Sequence, residues 1–110
     1  MHLKLNMEIK QILPKEALEA INNGSLLVDV RENHEVEEAA YDVVNCIHIP
    51  LGELQARLNE IPKDKDLIMA CRSGARSMRA AQFLAEEGYN SLNNLQSGII
   101  GWVESGLATK

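Results

Sequence analysis

The stretch Leu67-Ile68-Met69-Ala70-Cys71-Arg72-Ser73-Gly74-Ala75-Arg76-Ser77-Met78-Arg79 decides the fold. Its aliphatic opening, Leu67 to Ala70, reads as a strand buried on both faces. A short polar loop with one glycine follows, and then a helix: Ser77, Ala80, Ala81, Leu84 and Gly88 recur at helical spacing and form a stripe of small residues suited to close packing on a sheet. Arg76, Arg79, Glu86 and Glu87 fall off that stripe. Strand, loop and helix in this order are the connection of a βαβ unit.

The same alternation extends outward. Apolar runs at Leu26 to Val30 and Val43 to Ile49, with a more polar one at Ser91 to Leu95, predict further strands. Helices are expected over Pro14 to Ile21, with proline at the first helical position and Asn22-Asn23-Gly24 as the stop, and over Glu32 to Ala40, Leu51 to Leu58 and Ala75 to Glu87, the last ending at Gly88. This pattern predicts an α/β fold, a mainly parallel sheet with helices on both faces and its sites outside the strand C-termini. The chain has 110 residues without repeats or linker-like tracts, so a single domain over 1–110 is expected, with its core at about 8–107.

Hydrophobic residues make up 45% and charged residues 25%, the balance of a soluble globular domain. Eleven Lys and Arg against sixteen Asp and Glu give a net charge of -5, the wrong sign for general nucleic-acid or anionic-membrane binding. Met1 to Gln11 lacks the apolar stretch of a signal peptide, and no later run approaches a membrane span. Cys46 and Cys71 are too few for a disulfide framework, so a reducing cytoplasm is the expected location. His2 is expected to lie in a disordered tail.

Chemistry concentrates where the strand ends at Cys71. Amides at a helix N-terminus have no intrahelical partner, and successive ones in a tight turn converge into an anion-binding nest. Gly74 permits such a turn. A thiol in that nest, near Arg72 and Arg76, is expected to ionise readily and to act as a nucleophile. The bland alternative is a small buried cysteine ending a strand, beside arginines on a solvated helix face. Cysteine, two arginines, glycine and helix start within a few residues of a strand C-terminus favour the site.

At these residues the sequence resembles the rhodanese homology family, specifically its small single-domain sulfurtransferases. Cys71-Arg72-Ser73-Gly74-Ala75-Arg76-Ser77 carries the resemblance, supported by Leu26 to Glu32, by Ile47-His48-Ile49-Pro50-Leu51-Gly52-Glu53-Leu54, by Glu87-Gly88-Tyr89, and by Asn94 to Trp102, which looks like the family's C-terminal glycine-tryptophan signature. It spans about 80 residues in order. The resemblance implies a rhodanese-like, five-stranded sheet and a persulfide intermediate on Cys71, with Arg72, Ser73, Gly74, Ala75, Arg76 and Ser77 as the substrate-binding loop. It also implies that Asp29 and Arg31 brace that loop by charge pairing; a surface pair of little energetic effect is the alternative. Two departures stand out: Tyr41 to Cys46 replaces the family's Gly-His-Ile and Pro-Gly-Ala segment, and Ser97-Gly98 replaces a double glycine.

Loop length separates two chemistries. Four residues lie between Cys71 and Arg76, as in the sulfurtransferase loop; cysteine phosphatases of related fold use a loop one residue longer, and that position here is Ser77. A tetrahedral phosphate on sulfur needs a wider ring of donors than one terminal sulfur does. The expected reaction is a double displacement in which Cys71 takes the outer sulfur of a small donor such as thiosulfate and passes it to a thiol, a protein acceptor or cyanide. No metal or organic cofactor is required. The competing reading is a sulfur-carrier or regulatory module that works only with a protein partner, and a phosphatase or arsenate reductase is disfavoured by the loop.

Of the remaining candidates, Cys46 and His48 share a strand face, but two ligands do not make a zinc site; Cys46 is expected to be buried mid-strand with a raised thiol pKa. Trp102 is expected in the core rather than at a substrate mouth. Pro50 and Pro62 are expected to mark element boundaries. Glu32, Glu35, Glu37, Glu38 and Asp42 read as a solvated acidic face.

Overall fold

Alternate residues of the strand Leu67–Ala70 enter two different cores. Leu67 and Met69 join one with Val28, Val30 and Leu92, while Ile68 and Ala70 join the other with Leu27 and Leu95. That is the side-chain period of a strand covered on both faces, and it accounts for the unbroken aliphatic run.

The computed structural model describes residues 9–110; His2 lies outside them. In chain order the elements are β1 (Ile9–Ile12), α1 (Pro14–Asn22), β2 (Leu26–Asp29), α2 (Asn33–Glu38), β3 (Cys46–His48), two 3-10 turns (Leu51–Glu53 and Leu58–Glu60), β4 (Leu67–Ala70), α3 (Ala75–Glu86), β5 (Leu92–Leu95) and α4 (Gly98–Glu104). The strands form one parallel sheet in the order β1-β5-β4-β2-β3. The chain winds one way from β4 through β5 and the other way through β2 and β3, so the C-terminal end of β4 lies at the switch between the two windings, where such sheets open a crevice.

α3 covers one face through Ala80, Ala81, Leu84 and Ala85. α1 and α4 cover the other through Ala17, Ile21 and Trp102. Trp102 is fully buried, edge-on to Tyr41, and its indole N–H donates to Ala108 O at 2.9 Å. It is core, as the sequence suggests.

The sequence reading needs three corrections. Leu51 to Leu58 is not a helix but part of two 3-10 turns: Leu54 and Ile61 are drawn into the core, and the Tyr89 hydroxyl donates to Ile61 O at 2.7 Å with Leu58 O 3.2 Å away. The strand expected over Val43 to Ile49 shrinks to Cys46–His48 at the sheet edge, with Val44 largely exposed before it. Cys46 is exposed on that edge rather than buried.

Candidate active site

β4 ends at Ala70, and the next residue, Cys71, turns its sulfur back under the start of α3. The Gly74 amide donates to Sγ at 3.1 Å and the Ser77 amide at 3.4 Å, while the Ser77 hydroxyl oxygen stands 3.3 Å away. Gly74 makes this possible with φ +104°, and a side chain there would run into the backbone carbonyl of Gln96. Burial alone would push the Cys71 thiol up. Hydrogen bonds from the Ser77 hydroxyl and the amides of Ser77, Gly74 and Ser73 outweigh that cost and hold its pKa below the ordinary value.

The loop's carbonyls are tied back from outside. Cys71 O accepts from the Tyr41 hydroxyl at 2.7 Å and the Ile99 amide at 3.0 Å, and Arg72 O accepts from the Ile100 amide at 3.2 Å. This contact brings the start of α4 so close that a side chain at Gly98 would overlap the Arg72 backbone. Gly98, at φ +59°, therefore keeps the glycine requirement of the family's double-glycine turn, and Ser97 is accommodated because Gly101 lies opposite.

The two loop arginines do different things. Arg76 forms a two-pronged pair with Glu35 of α2, at 2.8 and 2.9 Å, so its charge is neutralised beside the loop. The Arg76 guanidinium holds Glu35 down at about 2. Arg72 is exposed and lines a shallow pocket of about 150 Å³ with Arg31, Glu35, Glu38, Ala39 and Ile99. Ser73 and Ala75 are exposed on the loop's outer side.

Asp29 and Arg31 are not a surface pair. Both are buried, with an Arg31–Asp29 separation of 2.8 Å. Arg31 also donates to Glu35 O at 3.5 Å and lies 5.2 Å from the Tyr41 ring centre. The pair therefore touches the two residues, Glu35 and Tyr41, that hold the cysteine loop. His48 uses Nε2 on Arg31 O at 2.7 Å, and the Cys46 thiol is pushed up to about 11 by desolvation and the Asp29 carboxylate.

Three residues at the site escaped the sequence reading. Glu35 reads in the sequence as part of a solvated acidic face, and only the fold reveals its partner forty-one positions away. Tyr41 sits in the segment that departs from the family pattern and supplies its own contact to Cys71 O. Asn94 is buried in β5 and bonded to Ser77 at 2.5 Å; an asparagine pair between the two leucines of a strand is the signal that marks it in the sequence.

Comparison with known proteins agrees with this arrangement. The family model described as Rhodanese-like domain matches residues 13–105. A protein from Allochromatium vinosum named sulfurtransferase is 40% identical over 82 residues, covering 74% of this chain and 75% of that one. The thiosulfate sulfurtransferase GlpE of Haemophilus influenzae is 30% identical over 105 residues, covering 92% of this chain and 94% of that one. Among solved structures, a rhodanese-related protein from Thermoplasma volcanium superposes with a TM-score of 0.79 at 29% identity, covering 92% of this chain and 97% of that one.

Proposed function

Since the chain belongs to the rhodanese-like domain family of sulfurtransferases, we propose that it moves a sulfane sulfur from thiosulfate or a persulfide donor to a thiol or cyanide acceptor through a persulfide on Cys71. The observation that carries this reading is the Cys71 sulfur held at 3.1 Å from the Gly74 amide inside a loop with four residues between Cys71 and Arg76. Donors fixed at hydrogen-bond distance stabilise a negative sulfur without rearranging as charge arrives.

In the first step the Cys71 thiolate attacks the outer sulfur of thiosulfate. A Cys–S–S bond forms, the bond to the sulfonate sulfur breaks, and sulfite leaves with its electron pair. The outer sulfur now carries the negative charge and faces the loop amides. In the second step an acceptor thiolate or cyanide attacks that sulfur, forming a persulfide or thiocyanate and returning the Cys71 thiolate. Arg72, exposed at the pocket rim, attracts the anionic donor; Arg76 keeps the loop closed against α2. The acting unit in this reading is the single domain with its core at about 8–107, working in a reducing cytoplasm. No helix among the described residues is long and apolar enough to cross a membrane.

Incubation with thiosulfate followed by intact-mass measurement tests the reading. One added sulfur, about 32 mass units, is expected on Cys71 by peptide mapping, with thiocyanate produced when cyanide is supplied. Cys46 lies outside the ring of amide donors and its thiol pKa is held above the ordinary value, so it is expected to remain unmodified, and Cys46→Ser to keep the activity. An adduct on Cys46 would replace this scheme with a two-cysteine relay. A persulfide that forms but never turns over without a protein partner points to the sulfur-carrier reading, and hydrolysis of an aryl phosphate without sulfur uptake overturns both.

A further inference from the structure

Ser77 has one hydroxyl proton, and three acceptors surround its oxygen: Asn94 Oδ1 at 2.5 Å, Gly74 O at 3.2 Å and the Cys71 sulfur at 3.3 Å. Asn94 is buried in β5, and its amide is oriented by the two acceptors of its nitrogen, Gly74 O at 3.1 Å and Gln11 Oε1 at 3.0 Å. Gln11 is fixed in turn, with Nε2 at 3.2 Å from the Met78 sulfur. Turning the Asn94 amide over would set oxygen against the Gly74 carbonyl, so Oδ1 stays on Ser77.

We propose that Asn94 is a positioning residue for the reacting sulfur: it holds the Ser77 hydroxyl proton while the Cys71 sulfur carries a proton or a second sulfur, and yields it only when that sulfur is a bare thiolate. This rests on the reading of Cys71 as the nucleophile. In the thiol state S–H donates to Ser77 Oγ, whose O–H donates to Asn94. Loss of the thiol proton reverses the first link, since the sulfur becomes an acceptor and draws the hydroxyl toward itself. Asn94 Oδ1 is then a buried acceptor without its donor, which costs free energy. Asn94 therefore works against the bare thiolate and in favour of the states in which Sγ is bonded. Because Asn94 is neutral, this bias does not depend on salt.

The charged groups around the cysteine loop belong to other contacts. Arg76 pairs with Glu35 of α2, Arg31 pairs with Asp29 beside β2, and Arg72 is exposed. Burial holds the Tyr41 phenol well above its ordinary pKa. The hydrogen bonds of Asn94 and Ser77 involve none of these six groups.

The test is the pH dependence of Cys71 alkylation by iodoacetamide in the full chain, in a Cys46→Ser background and with no sulfur donor present. Asn94→Ala is expected to lower the alkylation midpoint by about half a unit to one unit, the size of one net hydrogen bond. Ser77→Ala is expected to raise it, and adding Asn94→Ala to Ser77→Ala is expected to move it no further. Asn94→Leu keeps the size of the side chain, removes the acceptor and is expected to lower the midpoint in the same way, which covers the case where the alanine variant folds poorly. A midpoint that stays or rises in folded Asn94→Ala or Asn94→Leu, or the same downward shift without the Ser77 hydroxyl, would overturn the proposal. A purely structural asparagine lowers thermal stability in every background and leaves the midpoint in place. These shifts are read without sulfur transfer, so absent sulfur uptake alongside intact shifts counts against the proposed function and not against Asn94.

Discussion

Asp66 and Cys71 bracket the same strand, β4, and each is a negative or potentially negative group held by hydrogen-bond donors, yet they are built for different ends. Asp66, half-buried just before β4, accepts from the hydroxyls of Ser91 and Ser25, the latter at 2.7 Å, and from the Asn93 amide at 3.0 Å. These side chains lie at the starts of β2 and β5, so one carboxylate ties together the N-terminal ends of the central strands. Despite desolvation, which would raise it, hydrogen bonds from Ser91, Ser25 and Asn93 hold Asp66 below its ordinary pKa. At the other end the donors to Cys71 include two backbone amides that cannot turn away and one hydroxyl shared with Asn94. Side-chain donors that can repack make a staple; backbone donors fixed by a helix start make a site that is ready before charge arrives. The larger cavity, about 490 Å³ and lined by Lys10, Asp66 and Asn93, sits at the staple end, so volume alone is a poor guide to chemistry here.

Removing each anion separates the two ends of β4. Cys71→Ser is expected to abolish sulfur uptake, because a serine hydroxyl is far less ionised and holds no transferable sulfur. Asp66→Ala is expected to cost about 1 to 2 kcal/mol in chemical denaturation, since the buried Ser25 and Asn93 lose an acceptor, while sulfur uptake per folded molecule is retained. Loss of uptake in a folded Asp66→Ala protein would show that the two ends are not independent.

Acid titration gives a smaller, graded contrast. Asp66 and Glu35 both have depressed folded-state pKa values, Glu35 down to about 2 from its ordinary 4.5. A depressed carboxylate contributes stability that is complete above its unfolded pKa and is lost as pH falls through the folded one. Stability is therefore expected to decline from about pH 4.5 toward pH 2, and Asp66→Asn and Glu35→Gln should each flatten that decline in urea denaturation. An unchanged acid limb in both variants would remove these carboxylates as its cause.

The smallest expected effect separates the arginines. Arg72→Ala is expected to raise the KM for thiosulfate by about three- to tenfold in low salt, with the difference fading as salt is added. Arg76→Ala, whose charge is already paired with Glu35, should lose activity in a way that salt does not mimic. Identical salt profiles for the two variants would assign them one common role.

What the sequence made legible was local. The aliphatic run of β4, the small-residue stripe of α3 and the cysteine-to-helix loop each follow from neighbours within a turn or two, and all three stand in the structure. Elements decided by distant groups were harder. Leu51 to Leu58 has helical spacing, but Leu54 and Ile61 are drawn into the core from separate turns, and the Tyr89 hydroxyl holds Ile61 O just beyond the segment. Cys46 sits among aliphatic neighbours, yet its strand is the last of the sheet and leaves it exposed. Glu35 and Tyr41 look like surface residues until α2 and the segment after it fold over the cysteine loop, because an ion pair across forty-one positions leaves no periodic trace.

The tied-back carbonyls have a consequence for which visitors the loop admits. A thiolate is a soft ligand that attracts zinc and copper(I), and such ions need several donor atoms converging on one point. Here the neighbouring backbone oxygens are already engaged: Cys71 O with Tyr41 and Ile99, Arg72 O with Ile100, and Gly74 O with Met78, Ser77 and Asn94. What faces the sulfur is N–H and O–H, so an arriving cation would find one ligand and a ring of positive dipole ends. The backbone arrangement that aims donors at Cys71 thus leaves few oxygens free beside the sulfur for a cation to share.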